Sequence, residues 1–396
     1  MQKKIIALAV ASLASGAALA QTNVTMYGIA DAGYVYSTGD AGFVTTPVVV
    51  NGVPGVVRVS IPGTNTFSGI QSGLLSGSRL GFRGEEALGN GLKAIFTLEY
   101  SLNIDGNYGV GNAGSLNARQ QFVGLSGANW GTVALGRQYS PGYQATVNND
   151  PAGGSLFESQ SFQSRDAGYT ITPNSAARWD NALTYTTPNW GGFSAKGIYS
   201  FGETQDAFGT YNDRNVSITD NSKWGVGVNY ANGPFNVDAV YQARDNITMT
   251  NVVNSYDTQE WYVGGSFDFK MVKLMASWQG MDTSNTAPIG TAVTNNSQLW
   301  SIGAVIPVLA ASNVHLGYSQ LLMDGKNRFG NINQFTGNSQ SATLAWTTNL
   351  SKRTTFYAGY VWTQNDNFGA ATAPVTGVGA RGQDNNTLLA GLRHSF

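Results

Sequence analysis

The stretch Lys223-Trp-Gly-Val-Gly-Val-Asn-Tyr-Ala-Asn-Gly-Pro-Phe-Asn-Val-Asp-Ala-Val-Tyr-Gln-Ala-Arg244 decides the fold. Successive side chains of an extended chain point to opposite faces. Trp224, Val226, Val228 and Tyr230 therefore share one face, and Lys223, Gly225, Gly227 and Asn229 share the other. In the second half Phe235, Val237, Ala239 and Tyr241 oppose Asn236, Asp238, Gln242 and Arg244. Between the halves stands Ala231-Asn232-Gly233-Pro234, a run of turn formers. A segment of about ten residues with one apolar and one polar face, closed by a turn, is the unit of a wall with lipid on one side and water on the other.

Working outward, Trp261/Val263/Phe267/Phe269 oppose Tyr262/Ser266/Asp268/Lys270, and Phe356/Ala358/Tyr360/Trp362 oppose Thr355/Tyr357/Gly359/Thr363. Sixteen such segments are predicted. They lie at about 24–37, 78–84, 92–104, 119–127, 132–140, 181–188, 193–202, 223–232, 235–245, 259–270, 272–282, 298–308, 313–323, 340–349, 354–366 and 386–396. An even number lets the first and last strands close antiparallel. The predicted fold is thus all-β, a transmembrane antiparallel barrel of 16 strands. Its connections alternate short and long, with long ones at about 38–77, 105–118, 141–180, 203–222, 246–258, 283–297, 324–339 and 367–385. Short turns are expected to face the periplasm and long loops the exterior. Trp130, Trp190, Tyr34, Tyr36, Trp278 and Trp346 fall toward strand ends, where an aromatic girdle sits.

Composition points the same way. Charged residues make up 11% of the chain, against about 25% in a typical soluble domain. Gly is 50 of 396 residues and aromatics are 11%. No run of 18 apolar residues is present, which excludes a helical inner-membrane protein. Residues 1–20 read as a secretory signal: Lys3 and Lys4, an apolar run from Ile5 to Leu13, and Ala18-Leu19-Ala20 before the expected cut. The barrel domain is then 21–396. Losing Lys3 and Lys4 leaves 20 basic and 23 acidic residues, which gives no electrostatic case for nucleic acid. With no Cys, the barrel is held by its hydrogen-bond network, since closure leaves no strand edge unpaired. The chain ends with Leu388, Ala390, Leu392, His394 and Phe396 on the outward face.

Four motifs carry a resemblance. They are Val24-Thr-Met-Tyr-Gly-Ile-Ala-Asp-Ala-Gly33, Ser78-Arg-Leu-Gly-Phe-Arg-Gly-Glu-Glu-Ala-Leu-Gly-Asn-Gly-Leu92, Leu135-Gly-Arg-Gln138 and Gly391-Leu-Arg-His-Ser-Phe396. Together they resemble the trimeric Gram-negative porins, and most closely those of β-proteobacteria. The resemblance implies a general diffusion porin: a water-filled channel for ions and small hydrophilic solutes, assembled as a homotrimer in outer-membrane lipid. It implies that Phe396 is read by the barrel-insertion machinery. It further implies that the third loop, Pro141 to Trp179, folds into the lumen and narrows it, with acidic groups facing wall arginines. Arg79, Arg137 and Arg178 match the wall arginines, and the alternation of Arg79 with Leu80 and Phe82 independently turns it inward. Arg137 shares parity with Val133 and Leu135, so facing the lumen requires a bulge or a packed lumen. Asp150 and Glu158 are the expected acidic side, although the acidic motif of enteric porins is absent from this loop. Lys93 and Glu99, on the polar face of the third strand, are expected to line the lumen.

Other chemistries find little support. Gly109-Val-Gly111-Asn-Ala-Gly114 matches a dinucleotide fingerprint but opens no helix. Without Cys, and with only His315 and His394 on separate strands, no metal, cofactor or catalytic triad is expected. Two alternatives to a general pore stay open. A substrate-specific channel needs an aromatic ladder, for which Tyr262 and Tyr357 are few, and an adhesin barrel needs a plugged lumen. Small outward residues on the first strand, Gly28, Ala30 and Ala32, suit a subunit contact.

Overall fold

The computed structural model describes residues 23–41, 43–50, 53–60, 62–106, 117–202, 222–250, 252–285, 293–327, 337–366, 378 and 383–396. The expected signal segment and the Gly109–Gly114 motif lie outside them. In the first half the strands are β1 (Asn23–Asp40), β2 (Phe43–Val50), β3 (Val53–Ser60), β4 (Thr64–Ser72), β5 (Arg79–Gly89), β6 (Leu92–Ser101), β7 (Ala118–Gly127), β8 (Gly131–Tyr139), β9 (Arg178–Thr186) and β10 (Phe193–Ser200). The second half contributes β11 (Lys223–Asn232), β12 (Phe235–Thr250), β13 (Val252–Asp268), β14 (Lys273–Asn285), β15 (Val293–Leu309), β16 (Ser312–Asn327), β17 (Gly337–Asn349), β18 (Thr354–Asn365) and β19 (Asn385–Ser395). Two helices, α1 (Pro141–Asn148) and α2 (Ser159–Asp166), lie between β8 and β9. No helix among the described residues is long and apolar enough to cross a membrane.

Every neighbouring pair is antiparallel, and β1 closes the sheet against β19. β4 pairs with the C-terminal half of β1 (Asp40↔Thr64 to Ala32↔Ser72), and β5 pairs with its N-terminal half (Ile29↔Arg79 to Asn23↔Glu85). The two are one wall position interrupted at 73–78, and the barrel has 16 strand positions. The interruption follows from Asp31. Its carboxylate accepts the backbone N–H groups of Leu75 (3.0 Å) and Ser76 (2.6 Å) and the Tyr357 hydroxyl (2.6 Å), drawing the segment inward. Hydrogen bonds to a buried charge are worth about 1.5–3 kcal/mol each, enough to hold a break in the ladder. Separately, β2 and β3 form a two-stranded hairpin.

The wall of this barrel is thin, so its core lies inside. Leu74, Phe157, Phe162, Tyr357 and Val361 form one buried cluster, and Tyr169, Ile171, Tyr262, Leu299 and Leu321 form another. Both join the 141–178 segment to the inner wall. Of the six aromatics expected in a girdle, Tyr34, Tyr36, Trp130, Trp190 and Trp278 are exposed and Trp346 is half-buried. Gly28 and Phe396 exchange two backbone hydrogen bonds of 3.1 Å, and the Phe396 ring fills the space where a Gly28 side chain would stand.

Candidate functional site

The segment after β8 crosses the lumen because the wall is cut away to receive it. Pro151 lies over Gly303 of β15 and the Glu158 carboxylate over Gly317 of β16, where any Cβ would collide with them. Three polar latches fix it there. Glu260 of β13 accepts the Thr170 N–H (3.0 Å), the Thr170 hydroxyl (2.7 Å) and the Gln242 amide (3.1 Å), with Arg244 at 3.3 Å. Asp238 of β12 accepts from Asn148, Asn149, Asn229 and Asn236. His315 of β16 makes a 2.7 Å hydrogen bond with the Pro151 carbonyl.

With the segment held against β11–β18, the lumen narrows on the opposite side to a cleft of 290 Å³. Its wall carries Arg79 of β5, Arg119 of β7 and Arg178 of β9, and the facing segment presents Gly153, Gly154, Ser155, Leu156, Pro173 and Asn174. Glu99 of β6 sits among the guanidinium groups, 2.7 Å from Arg119 and 3.9 Å from Arg79, and accepts the hydroxyls of Tyr27 (3.0 Å) and Tyr139 (3.2 Å). Arg178 lies 5.4 Å from the ring centres of both Tyr139 and Tyr143, which stack on each other at 3.7 Å. The aromatic faces hold a cation in place without neutralising it. Three guanidinium groups against one carboxylate leave two net positive charges, and no residue lining the facing side is acidic.

The structure thus brings Arg79, Arg178 and Glu99 together and adds Arg119, which the sequence does not reveal. Arg119 begins a polar run, Arg119-Gln-Gln121, where alternation gives no face. A register shift against Glu99/Tyr100 then places it beside Glu99. Arg137 stands beside this lining and not within it. The expected irregularity is present, a register shift at Gly136/Gln138 with Gly136 at φ +128°. Arg137 nevertheless bonds Asp180 at 2.6 Å and the Ala118 carbonyl at 3.0 Å and does not line the cleft. Lys93 stands at the short-turn end, 2.9 Å from Glu85. Six residues of strand, about 20 Å, separate it from Glu99.

Asp150 and Glu158 are a correction. Both are buried between the segment and the wall and do not face the arginines. Asp150 accepts the N–H groups of Ala152 (2.9 Å) and Gly154 (3.0 Å), turning a tight bend. Burial pushes its carboxyl up to about 7, and burial together with nearby Asp150 raises Glu158 well above the usual carboxylate range. Two neighbouring carboxyls out of water favour protonated forms. Tyr262 and Tyr357 are fully buried against the inner core and form no ladder. Among the described residues no cluster of metal-binding side chains is present.

Comparison with known proteins agrees with this architecture. The family described as Gram-negative porin matches residues 7–367. The chain is 32% identical over 412 residues to outer membrane porin protein 32 of Delftia acidovorans, covering 100% of both chains. It is 29% identical over 421 residues to an outer membrane porin protein of Bordetella pertussis, again covering 100% of both. Among solved structures, the anion-selective porin from Comamonas acidovorans superposes with a TM-score of 0.71 at 27% identity, covering 95% of this chain and 100% of that one. The trimer form of OmpT of Vibrio cholerae shares the fold, with a TM-score of 0.60 at 13% identity over 95% of this chain and 99% of that one. The chain belongs to the Gram-negative porins, barrels of the bacterial outer membrane through which solutes diffuse passively.

Proposed function

We propose that this porin is a general diffusion channel with a preference for anions, set where the 141–178 segment meets Arg79, Arg119 and Arg178. The observation that carries this reading is the one-sided charge of the cleft: two net positive charges on the wall and no acidic residue opposite. A fixed transverse field of this kind orients water and dipolar solutes, and an unbalanced one lowers the barrier for one sign of ion. Arginine suits the wall because it stays ionised beside its own kind. The Comamonas relative, described as anion-selective, supports the same reading. On this reading the cleft acts on solutes by electrostatics alone, as a channel and not as an enzyme.

The remaining expectations follow from the fold and the family. Short turns face the periplasm and long loops the exterior, the signal is cut after Ala20, and Phe396 is read during barrel insertion. The working unit is a homotrimer, as in the trimer form of OmpT. Single-channel recording of the purified protein in a planar bilayer tests the proposal. Large ohmic steps closing in thirds at high voltage, with a reversal potential directed toward chloride equilibrium under a KCl gradient, are expected. A potassium-directed reversal refutes the anion preference, and silence from correctly folded protein refutes the open pore. Swelling of proteoliposomes in sugars of graded size separates a general pore, whose rate falls smoothly with size, from a specific one that saturates.

A further inference from the structure

The helix α1 presents two flanks to the lumen. Tyr143 borders the arginine cleft. Pro141, Gln144, Ala145 and Asn148, at helical spacing, share the other flank and border a groove of 190 Å³ against β9–β12. Pro141 seats on Gly227 of β11, where a Cβ would come within 2.7 Å of it, and this fixes the helix beside the wall. Groove and cleft lie on opposite sides of the inserted segment. The cleft is lined from the long-loop ends of the strands, where Ser101 closes β6 and Arg119 and Arg178 stand at the start of β7 and β9. The groove is lined from the short-turn ends, where Thr186 closes β9 and Ser194 stands at the start of β10. A solute that has passed the arginines therefore meets this groove next.

Opposite charges stand at its two ends. Beside the N-terminus of α1, Lys196 of β10 is half-buried and donates from Nζ to the Tyr139 carbonyl at 2.6 Å. An ammonium carries three donors, so two are left for the groove. Beside the C-terminus of α1, Asp238 of β12 accepts from the side-chain amides of Asn148, Asn149, Asn229 and Asn236. Amides satisfy the carboxylate oxygens and leave the charge in place. Among the described residues neither Lys196 nor Asp238 stands in an ion pair. At 1.5 Å of rise per residue, the run from Pro141 to Asn148 sets the two ends about 10 Å apart. Between them Pro141, Ala145 and Val240 supply apolar surface, and Thr186 and Ser194 supply hydroxyls.

This layout selects by charge pattern. A simple anion drawn to Lys196 is pushed back by Asp238, and a simple cation meets the reverse. A solute carrying both charges gains at both ends. We infer that the groove is a subsite for zwitterionic solutes of the amino-acid class, with the carboxylate on Lys196, the ammonium toward Asp238 and an aliphatic side chain on the Pro141/Ala145/Val240 surface. The inference rests on the pore reading only for access to the groove. Binding is read without current, so the two fail separately.

The test titrates the full-length protein in detergent with L-valine, isovalerate or isobutylamine, which share a carbon skeleton and differ in charge, and follows binding by saturation-transfer NMR. Reversal potentials are recorded in parallel. Valine should bind about tenfold more tightly than either singly charged analogue, the worth of one charge-assisted hydrogen bond. Lys196→Met should lower valine to the level of isobutylamine, and Lys196→Arg should keep the parent's order. Ser194→Phe, which fills the groove from β10 without changing its charge, should weaken all three while leaving the reversal potential where it is. Isovalerate binding as tightly as valine, no binding of valine to the parent, or valine binding untouched by both Lys196→Met and Ser194→Phe overturns the inference.

Discussion

Replacing Arg119 by Gln should move the channel's ion preference by an amount that the geometry fixes. Gln retains a donor toward Glu99, which keeps its hydrogen bonds from Tyr27 and Tyr139 and its proximity to Arg79. The net charge of the cleft falls from two to one. An ion passing about 5 Å from a unit charge in water feels about 0.8 kcal/mol. At physiological salt, with a screening length of about 8 Å, this drops to about 0.45 kcal/mol. The anion loses this attraction and the cation loses an equal repulsion, so the permeability ratio should shift toward cations about fivefold, and about fifteenfold in dilute salt. Glu99→Gln removes the opposing charge and should shift the ratio by a similar amount toward anions. The Glu99→Gln/Arg119→Gln pair restores two net charges and should return near the parent. Reversal potentials under a KCl gradient, measured for all four proteins at two ionic strengths, give these ratios. An unchanged potential in folded Arg119→Gln, or single variants that shift in the same direction, refutes the electrostatic assignment.

Three further outcomes follow from the packing. Gly317→Val places a side chain where the Glu158 carboxylate lies, so the inserted segment should lift from β16; overpacking costs about 1–3 kcal/mol, and a wider, noisier conductance with the barrel's circular dichroism intact checks it. Burial raises the Asp150 carboxyl to about 7 and the Glu158 carboxyl well above the usual carboxylate range, so their packed forms favour the proton. An acid whose packed pKa exceeds its free value contributes fully below the free value, and that contribution declines as pH rises through the packed one. Protease sensitivity of the 141–178 segment should therefore increase between about pH 5 and pH 8, and Asp150→Asn should flatten the profile. Gly28→Leu evicts the Phe396 ring from the closure seam and should slow assembly, read as a delayed heat-modifiable band in unboiled gels.

Legibility tracks the number of solvents each segment meets. Lys223–Asn232 has lipid on one face and water on the other, so its alternation is complete and its strand is observed at the predicted bounds. Thr64–Ser72 reads as loop because its outward positions carry little apolar character beyond Ile70. The strands β12, β13, β15 and β16 run past their predicted ends at the long-loop side. There the sequence is rich in Asn, Ser, Thr and Asp on both parities and the alternation is faint. Arg79 is legible because Leu80 and Phe82 fix its face. Arg119 is not, because a register shift carries no signature in a run of polar residues. Asp150 and Glu158 read as facing the wall arginines because charge is expected in water. Their burial depends on Gly303 and Gly317, more than a hundred residues away.

The central claim is that solutes pass between the inserted segment and the arginine wall. A chain without cysteine makes a clean test possible. Ser101→Cys places a single thiol on the cleft wall, where its modification by a small anionic thiosulfonate and by its cationic counterpart is followed in a planar bilayer. Current should fall in three equal steps with either reagent, and the anionic one should react faster. Undiminished current after complete labelling, or faster reaction with the cation, contradicts the claim.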